Sequence, residues 1–198
     1  LHMVITIARE SGSGGQEVGH LLAKRLNLKF YDKDNLIDKA KEFHCEEELN
    51  AFLNEIPASD LLHSIAEQTD ELPDASKAPF AFLRRLAREE SFVLVGRCGN
   101  VALRGQKDLT SVFLHGNSES RIQRLMVTEH KSRLAARLAI EETDSNRRRF
   151  HEYYGNEEWG FSGNYQLTLD SNLLGTQACV DLICDFMKKT GQLDNDTV

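Results

Sequence analysis

The chain has few cysteines, few prolines and no long apolar run, and these shortages exclude several classes of protein. Its four cysteines show no CxxC spacing and are too sparse for a disulfide framework, so we interpret them as reduced thiols of a cytoplasmic protein. No stretch of about 18 apolar residues is present, and the amino terminus lacks a charged segment followed by an apolar one. We therefore expect neither membrane insertion nor secretion.

Positive charge is also scarce, because 24 Lys and Arg residues stand against 31 Asp and Glu residues. Proteins that bind long nucleic acids usually carry an excess of basic residues. The net charge of -7 therefore argues against such a partner, and we expect a small-molecule ligand. The seven histidines form no HxH or HExxH motif, so no transition-metal site is predicted.

Short apolar segments alternate with helical patterns along the chain. Residues 4–8, 92–96 and 110–114 are apolar runs typical of buried strands, and residues 165–169 alternate like a last strand. Between them, apolar residues recur at the spacing of amphipathic helices. This order predicts a three-layer α/β fold, a parallel sheet with helices on both faces. In such sheets ligands bind at the carboxyl ends of the strands.

We predict a single domain over residues 3–198 with two attached regions. Residues 45–77 are acidic, contain two of the three prolines and are typical of short helices in an inserted substrate arm. Residues 128–164 include an arginine-rich helical stretch that would form a lid. A solvated surface of ion pairs is the alternative interpretation of these arginines.

A glycine-rich turn joins the first strand to the first helix. It contains Gly12, Ser13, Gly14 and Gly15, and backbone N–H groups at a helix N-terminus favour an anion. We therefore predict phosphate binding at this turn; a tight turn without a ligand is the alternative. The turn departs from the phosphate-loop pattern GxxxxGK[ST], because Gly15 and Gln16 stand where that pattern has Lys and then Ser or Thr.

Four parts of the chain carry a resemblance to a known family. ITIARESGSGG (residues 5–15) with FYD (30–32), VGRCG (95–99), DSNR (144–147) and NYQL (164–167) together resemble the cytidylate-kinase-like family. The resemblance covers nearly the whole chain. It implies a P-loop kinase-like fold and a phosphotransferase that uses ATP and Mg²⁺ and acts on a nucleotide or another small acceptor.

The resemblance also implies roles for single arginines. Arg9 replaces the first loop glycine of the cytidylate kinases, and it would offer its guanidinium in place of the lysine that Gly15 replaces. An ordinary ion pair of Arg9 is the alternative. Arg97 matches the arginine of the GRD segment that approaches the substrate nucleotide, whereas Cys98 replaces its aspartate. A salt bridge that closes the sheet is the alternative role of Arg97.

In the lid, Arg147 keeps the spacing of the family motif. Ile140 stands where a second lid arginine is expected, and Arg137, one helical turn earlier, would take its place. Residues 30–32 would form a further short strand after the first helix. Asp32, at the end of this strand, would orient a substrate hydroxyl or hold a metal-bound water; capping the next helix is the alternative.

Two further hypotheses stay open beside the kinase. In one, the loop without its lysine still binds a nucleotide or phosphate, but turnover is lost and the protein is a regulatory module. In the other, the acidic arm at residues 45–77 serves a protein partner.

Overall fold

The fold is built on one parallel sheet. The structure is a computed structural model that describes residues 2–54 and 76–194. Within these residues the strand order is β2-β3-β1-β4-β5, and every neighbouring pair is parallel. The strands are β1 (Val4–Arg9), β2 (Lys29–Tyr31), β3 (Phe92–Val95), β4 (Leu109–His115) and β5 (Leu167–Asp170). The predicted α/β fold with a parallel sheet is therefore confirmed.

Helices connect the strands. They are α1 (Gly15–Leu26), α2 (Lys33–Glu42), α3 (Glu46–Leu53), α4 (Lys77–Glu89), α5 (Gly99–Ala102), α6 (Ser118–Thr128), α7 (Arg133–Gly155), α8 (Ser171–Leu174) and α9 (Thr176–Lys189), with a 3-10 turn at Ser162–Asn164. In the described part of the chain, no helix is both long enough and apolar enough to cross a membrane.

The first strand shows how both faces of the sheet are covered. Side chains alternate across a strand, so Val4 and Ile5 point to opposite faces. Val4 packs in one cluster with Leu83 of α4, whereas Ile5 packs in the other with Leu22 of α1 and Ile183 of α9. All five side chains are fully buried, and each contributes about 1.5–3 kcal/mol by leaving water.

Three strand ends meet at the same edge of the sheet. Ile7 of β1 pairs with Val95 of β3, and Arg9 pairs with Leu114 of β4. The order of the strands changes direction at β1: β3 and β2 lie on one side of it, and β4 and β5 lie on the other. Such a switch point leaves a crevice at the carboxyl ends of the strands. The glycine turn leaves β1 at this crevice.

The predicted lid region contains the 23-residue helix α7. The Ser132 hydroxyl caps its start by accepting a hydrogen bond from the Ala135 N–H at 3.2 Å. The first half of α7 packs on α6 through Ile122, Leu125 and Ile140. In the second half, α7 turns aromatic side chains toward the arm helix α3.

Of the predicted arm, only the segments outside residues 55–75 lie within the described residues. In α3, Phe52 is 1% exposed, and its ring centroid lies 5.4 Å from that of Phe150 and 5.1 Å from that of Tyr154, both on α7. This aromatic cluster joins the described part of the arm to the lid region.

Two local expectations need correction. The last strand begins at Leu167 rather than at residue 165, because Tyr165 instead packs with Phe113 and Trp159 below the strand end. The sequence pattern also predicts Ser118 as the N-cap of α6, but the cap is Asn117, whose Oδ1 accepts a hydrogen bond from the Ser120 N–H at 2.8 Å. Asn117 and Ser118 are both residue types that cap helices, and Tyr165 would suit a strand. Packing therefore decides where each of the two elements begins.

Candidate functional site

The glycine turn forms a tight loop over residues 10–14. Gly12 has a φ of 78°, and a Cβ on it would lie 2.7 Å from the Arg121 carbonyl oxygen, so only glycine fits there. Ser13 is 1% exposed, and its hydroxyl donates to the Glu10 carbonyl oxygen at 2.8 Å. Helix α1 begins directly after the loop, so its unpaired N–H groups face the same space.

Helices α6 and α7 hold the first half of the loop. The Asp144 carboxylate accepts a hydrogen bond from the Ser11 N–H at 2.7 Å and another from Arg121 Nη1 at 2.6 Å. Arg121 Nη1 also lies 3.2 Å from the Ser11 carbonyl oxygen. Asp144 and Arg121 are mostly buried, so their ion pair is weakly screened by solvent. One N–H group of the loop is therefore already bound to a carboxylate.

Helix α8 holds the second half of the loop. Ser171 is 2% exposed, and its hydroxyl lies 2.5 Å from the Ser13 carbonyl oxygen and 3.1 Å from the His115 carbonyl oxygen. Asn172 Nδ2 donates to the Gly12 carbonyl oxygen at 3.3 Å. These contacts use the carbonyl groups of the loop, and the Ser13 N–H is bonded within the loop to the Glu10 carbonyl oxygen at 3.3 Å.

Arg9 crosses the base of the loop. A Cβ on Gly15 would lie 2.5 Å from Arg9 Cγ, and a Cβ on Gly96 would lie 2.8 Å from Arg9 Nη1. The stem of Arg9 thus fills the space where a side chain at position 15 would start, and its guanidinium extends to the end of β3. A lysine at position 15 is sterically incompatible with this Arg9.

Two cavities open beside Arg9. The loop cavity, of about 220 Å³, is lined by Gly12, Gly14, Gly15, Gln16, Arg124 and Arg147 among others. The inner cavity, of about 20 Å³, is lined by Thr6, Arg97, Asn100, Arg147, His151 and Trp159 among others. Arg9 and Arg147 line both cavities, so they separate the two spaces. As it stands, the inner cavity has room for about one water molecule.

The predicted arginines Arg9, Arg97 and Arg147 therefore converge on the inner cavity. Arg147 Nη1 donates to the Arg9 carbonyl oxygen at 3.2 Å. Arg97 is 4% exposed although it is charged. Arg147 Nη1 also lies 4.0 Å from the Asp144 carboxylate, and three guanidinium groups around one small space suit a bound anion.

The turn that carries Arg97 has an unusual backbone. Gly96, Arg97 and Cys98 have φ values of 87°, 59° and 50° in succession. Left-handed conformations cost a non-glycine residue about 1–3 kcal/mol, and they cluster at functional sites. The strained turn aims Arg97 into the cavity instead of along the strand direction.

His151 and Asn100 share a carboxylate behind the inner cavity. Asn100 Nδ2 donates to Glu157 Oε1 at 2.9 Å, and His151 Nε2 lies 3.1 Å from the same oxygen. Glu157 also forms an ion pair with the exposed Arg104. Burial lowers the pKa of His151 from its ordinary value, and the hydrogen bond to Glu157 opposes that shift.

Two of the predicted site residues lie apart from these cavities. Arg137 is on the exposed face of α7, with its Nε 3.9 Å from Glu141, and it lines neither cavity. Asp32 caps α2 by accepting from the Asp34 N–H at 3.1 Å. Its other oxygen accepts from Gln16 Nε2 at 2.6 Å, so Asp32 does reach the first turn of α1.

Sequence reasoning missed Arg124 of α6. Its guanidinium lies over the loop, since a Cβ on Gly14 would be 2.8 Å from Arg124 Nη2, and it forms an ion pair with Glu17. The spacing of Arg121 and Arg124 on one helix was a signal, because residues three apart lie on the same face. Which face meets the loop depends on how α6 packs.

The residues present fit a nucleotide phosphate better than a protein-held metal. The first turn of α1, whose N–H groups have no partner within the helix, lines the loop cavity together with Arg9, Arg124 and Arg147. Gln16 stands where a metal-binding hydroxyl is usual, and no group of three or more His, Cys, Asp or Glu suited to a metal occurs in the described parts of the chain. A Mg²⁺ ion would therefore have to arrive with the nucleotide.

The sheet, the loop after β1 and the arginines around it define a P-loop kinase-like protein. The sequence model of the cytidylate kinase-like family matches residues 4–173. The chain belongs to that family.

Three individual proteins are also similar to this chain. A shikimate kinase from Flavobacterium psychrophilum is 28% identical over 144 residues, which cover 70% of this chain and 74% of that protein. The solved structure of an uncharacterized protein from Eubacterium ventriosum has a TM-score of 0.76 at 28% identity and covers 96% of this chain and 99% of its own. A shikimate kinase from Bacteroides thetaiotaomicron matches with a TM-score of 0.50 at 16% identity, over 96% of this chain and 99% of its own; this likeness concerns the fold alone.

Proposed function

We propose that the protein is a phosphotransferase that moves a phosphoryl group from ATP to a nucleotide or another small acceptor. The observation that carries the proposal is the convergence of Arg9, Arg97 and Arg147 on one cavity beside the glycine loop. Phosphoryl transfer asks a protein mainly for positioning and positive charge around the migrating group. Cytoplasmic location is part of the proposal, since all four cysteines are free thiols.

Each part of the site has a place in this reaction. The loop N–H groups and Arg124 bind the nucleotide phosphates, and Arg97 binds the acceptor. Arg9 and Arg147 line both cavities, so they contact the phosphoryl group as it passes from one to the other. Mg²⁺ would neutralise phosphate charge when it is bound with the nucleotide, and Asp32 with Gln16 would hold its water shell.

The acceptor enters only if the inner cavity widens. About 20 Å³ admits a water molecule but no sugar or base. Phe150, on the same helix as Arg147, forms part of its wall. A shift of α7 would therefore open the cavity and carry Arg147 back to the phosphate when it closes.

A turnover screen tests the proposal. The full chain is incubated with ATP and Mg²⁺ against nucleoside monophosphates, nucleosides and small hydroxy acids, and ADP is measured. We expect turnover with one acceptor class, and a loss of about 100-fold in Arg147→Gln. Arg149→Gln is the matched control, because Arg149 lies on the same helix but is exposed and donates to the Asn146 side chain at 2.7 Å. Equal losses in both variants would contradict the assignment of Arg147.

A regulatory nucleotide-binding module is the second candidate. It is favoured by the Asp144 carboxylate, which already occupies the Ser11 N–H that a phosphate would use. ATP binding by calorimetry without turnover against any acceptor would identify this module. Turnover sensitive to Arg147 would identify the kinase.

A further inference from the structure

A second charged hollow lies on the opposite edge of the sheet. This rear groove, of about 670 Å³, is lined by Arg84, Ala87, Arg88, Leu103, Arg104 and Gln106 among others. Arg88 stands just before β3, and residues 103–106 stand just before β4, so the groove lies at the amino ends of the strands. The glycine loop lies at the carboxyl ends. The groove and the glycine loop therefore lie at opposite ends of the strands, whereas helix α5 carries residues of both the inner cavity and the groove.

The charge of the rear groove contrasts with that of the whole chain. The chain has seven more acidic than basic residues, yet among residues 2–54 and 76–194 no carboxylate lines this groove. Arg84 Nε donates to the Ala102 carbonyl oxygen at 2.8 Å, which fixes the guanidinium on the wall. Arg88 has no hydrogen bond or ion pair with any residue that the structure describes. The groove therefore holds two guanidiniums that no carboxylate neutralises.

The size and walls of the groove select a class of ligand. A volume of about 670 Å³ lies in the range of small-molecule sites. Guanidinium groups bind phosphate with two parallel hydrogen bonds and also stack on planar rings. Ala87 and Leu103 are buried apolar residues that form a floor for such a ring. We propose that the rear groove binds a mononucleotide as an effector, separate from the catalytic site.

Arg104 connects the rear groove to the inner cavity. It lines the groove and forms an ion pair with Glu157, which holds Asn100 and His151 in the cavity wall. A phosphate in the groove competes with Glu157 for Arg104. Glu157 is largely buried, so the loss of its partner shifts the side chains that it holds. Groove binding therefore changes the shape of the inner cavity.

The chain contains its own reporter for this coupling. Trp159 is the single tryptophan, it is 8% exposed, and it lines the inner cavity two residues after Glu157. Its fluorescence responds to changes in the cavity wall. Binding in the groove is measured separately by calorimetry.

The experiment titrates AMP into the full chain. We expect the double variant Arg84→Gln/Arg88→Gln to bind AMP at least about tenfold more weakly, because two charged hydrogen bonds are lost. Arg85→Gln is the matched control on the same helix, since Arg85 pairs with Glu89 and lies over Phe43, outside the groove. Equal weakening in the control, or no AMP binding by the wild type, overturns the proposal.

Two further variants separate this site from the catalytic one. Arg97→Gln changes the inner cavity and leaves the groove intact, so groove binding should persist in it whether or not the protein has kinase activity. AMP binding that is lost in Arg97→Gln but kept in Arg84→Gln/Arg88→Gln would place AMP in the inner cavity only and overturn the proposal. In Glu157→Gln we expect AMP to bind without the change in Trp159 fluorescence; an unchanged response overturns the coupling.

Discussion

At the scale of single residues, Arg9 and Gly15 occupy one space. The Arg9 stem lies where a Cβ on Gly15 would stand, at 2.5 Å from Arg9 Cγ. A cation beside the loop can therefore come from position 9 or from position 15, but not from both. This steric exclusion explains why the chain departs from the usual phosphate loop at two positions together.

The paired exchange of these residues is the first prediction. Gly15→Lys alone should destabilise the fold by about 1–3 kcal/mol through overpacking against Arg9. Arg9→Gly alone should lower turnover about 100-fold, since a cation at the transferring group is lost. The double variant Arg9→Gly/Gly15→Lys should recover both properties, measured by denaturant unfolding and by ADP release. Simple addition of the two single effects would contradict the steric interpretation.

The site residues differ in how far the sequence could reveal them. Arg9 and Arg97 adjoin the ends of apolar strands, and in a parallel sheet those ends share one edge, so their convergence was predictable. Arg124 reaches the loop from α6, and only the packing of that helix brings it there. For Arg137, a helical pattern cannot decide which turn of α7 faces the loop. Its catalytic role stays a prediction that requires release from Glu141.

At the scale of secondary-structure elements, successive residues of helix α7 contact three different parts of the molecule. Asp144 binds the loop through the Ser11 N–H, Arg147 lies between the two cavities, and Phe150 packs on the arm helix α3. The helix is continuous over these residues, so the contacts move together. A displacement of α7 would therefore open the inner cavity, release the glycine loop and shift the arm helix α3 at the same time.

Replacing Asp144 tests the clamp on the loop. In Asp144→Asn the amide oxygen can still accept from the Ser11 N–H, but the ion pair with Arg121 is lost. We expect a loss of about 2 kcal/mol in the free energy of unfolding, because a mostly buried charged hydrogen bond is lost while Arg121 keeps Glu10, 3.4 Å from its Nε, as a carboxylate partner. Glu141→Gln on the exposed face of α7 should change it by about 0.5 kcal/mol or less. Similar losses in both variants, measured in urea, would rule out a clamp.

Removing Phe52 tests the joint between α3 and α7. Phe52→Ala leaves a cavity among buried aromatic rings, and we expect it to cost about 3–5 kcal/mol of stability. Phe161→Ala serves as the comparison, since Phe161 is 55% exposed and should matter by about 0.5 kcal/mol. Guanidinium unfolding measures both. A loss below about 1 kcal/mol for Phe52→Ala would show that α3 does not pack on α7 in solution.

Strands β1, β3 and β4 were predictable from the sequence because they are largely buried on both faces, which requires continuous apolar runs such as residues 92–95. The last strand was placed two residues early. Its segment alternates in polarity, and Tyr165 fits an alternating pattern although it packs with Phe113 and Trp159. Local patterns cannot separate an aromatic residue in a strand from one that packs beside it.

At the scale of the whole molecule, stability should depend on pH through His151. Burial lowers its pKa in the folded state, whereas the unfolded chain binds the proton near 6.5. The unfolded state therefore gains protons first as the pH falls below about 6.5, and the folded state loses relative stability until its own pKa is reached. Above that window His151 is neutral in both states and contributes no pH dependence.

A comparison of pH profiles checks this expectation. Unfolding in urea is followed at several pH values between about 5 and 8 for the wild type and for His151→Gln. The wild type should lose stability on the acid side more steeply than the variant. Parallel profiles would mean that another group causes the acid dependence.

The exclusion between Arg9 and Gly15 also bears on how such a loop evolves. A lineage that passes between a lysine at position 15 and an arginine at position 9 must change both. An intermediate carries either a crowded loop or a loop without its cation, and selection acts against each. Positions 9 and 15 should therefore covary among relatives, because the residue at each position is tolerated only with the matching residue at the other.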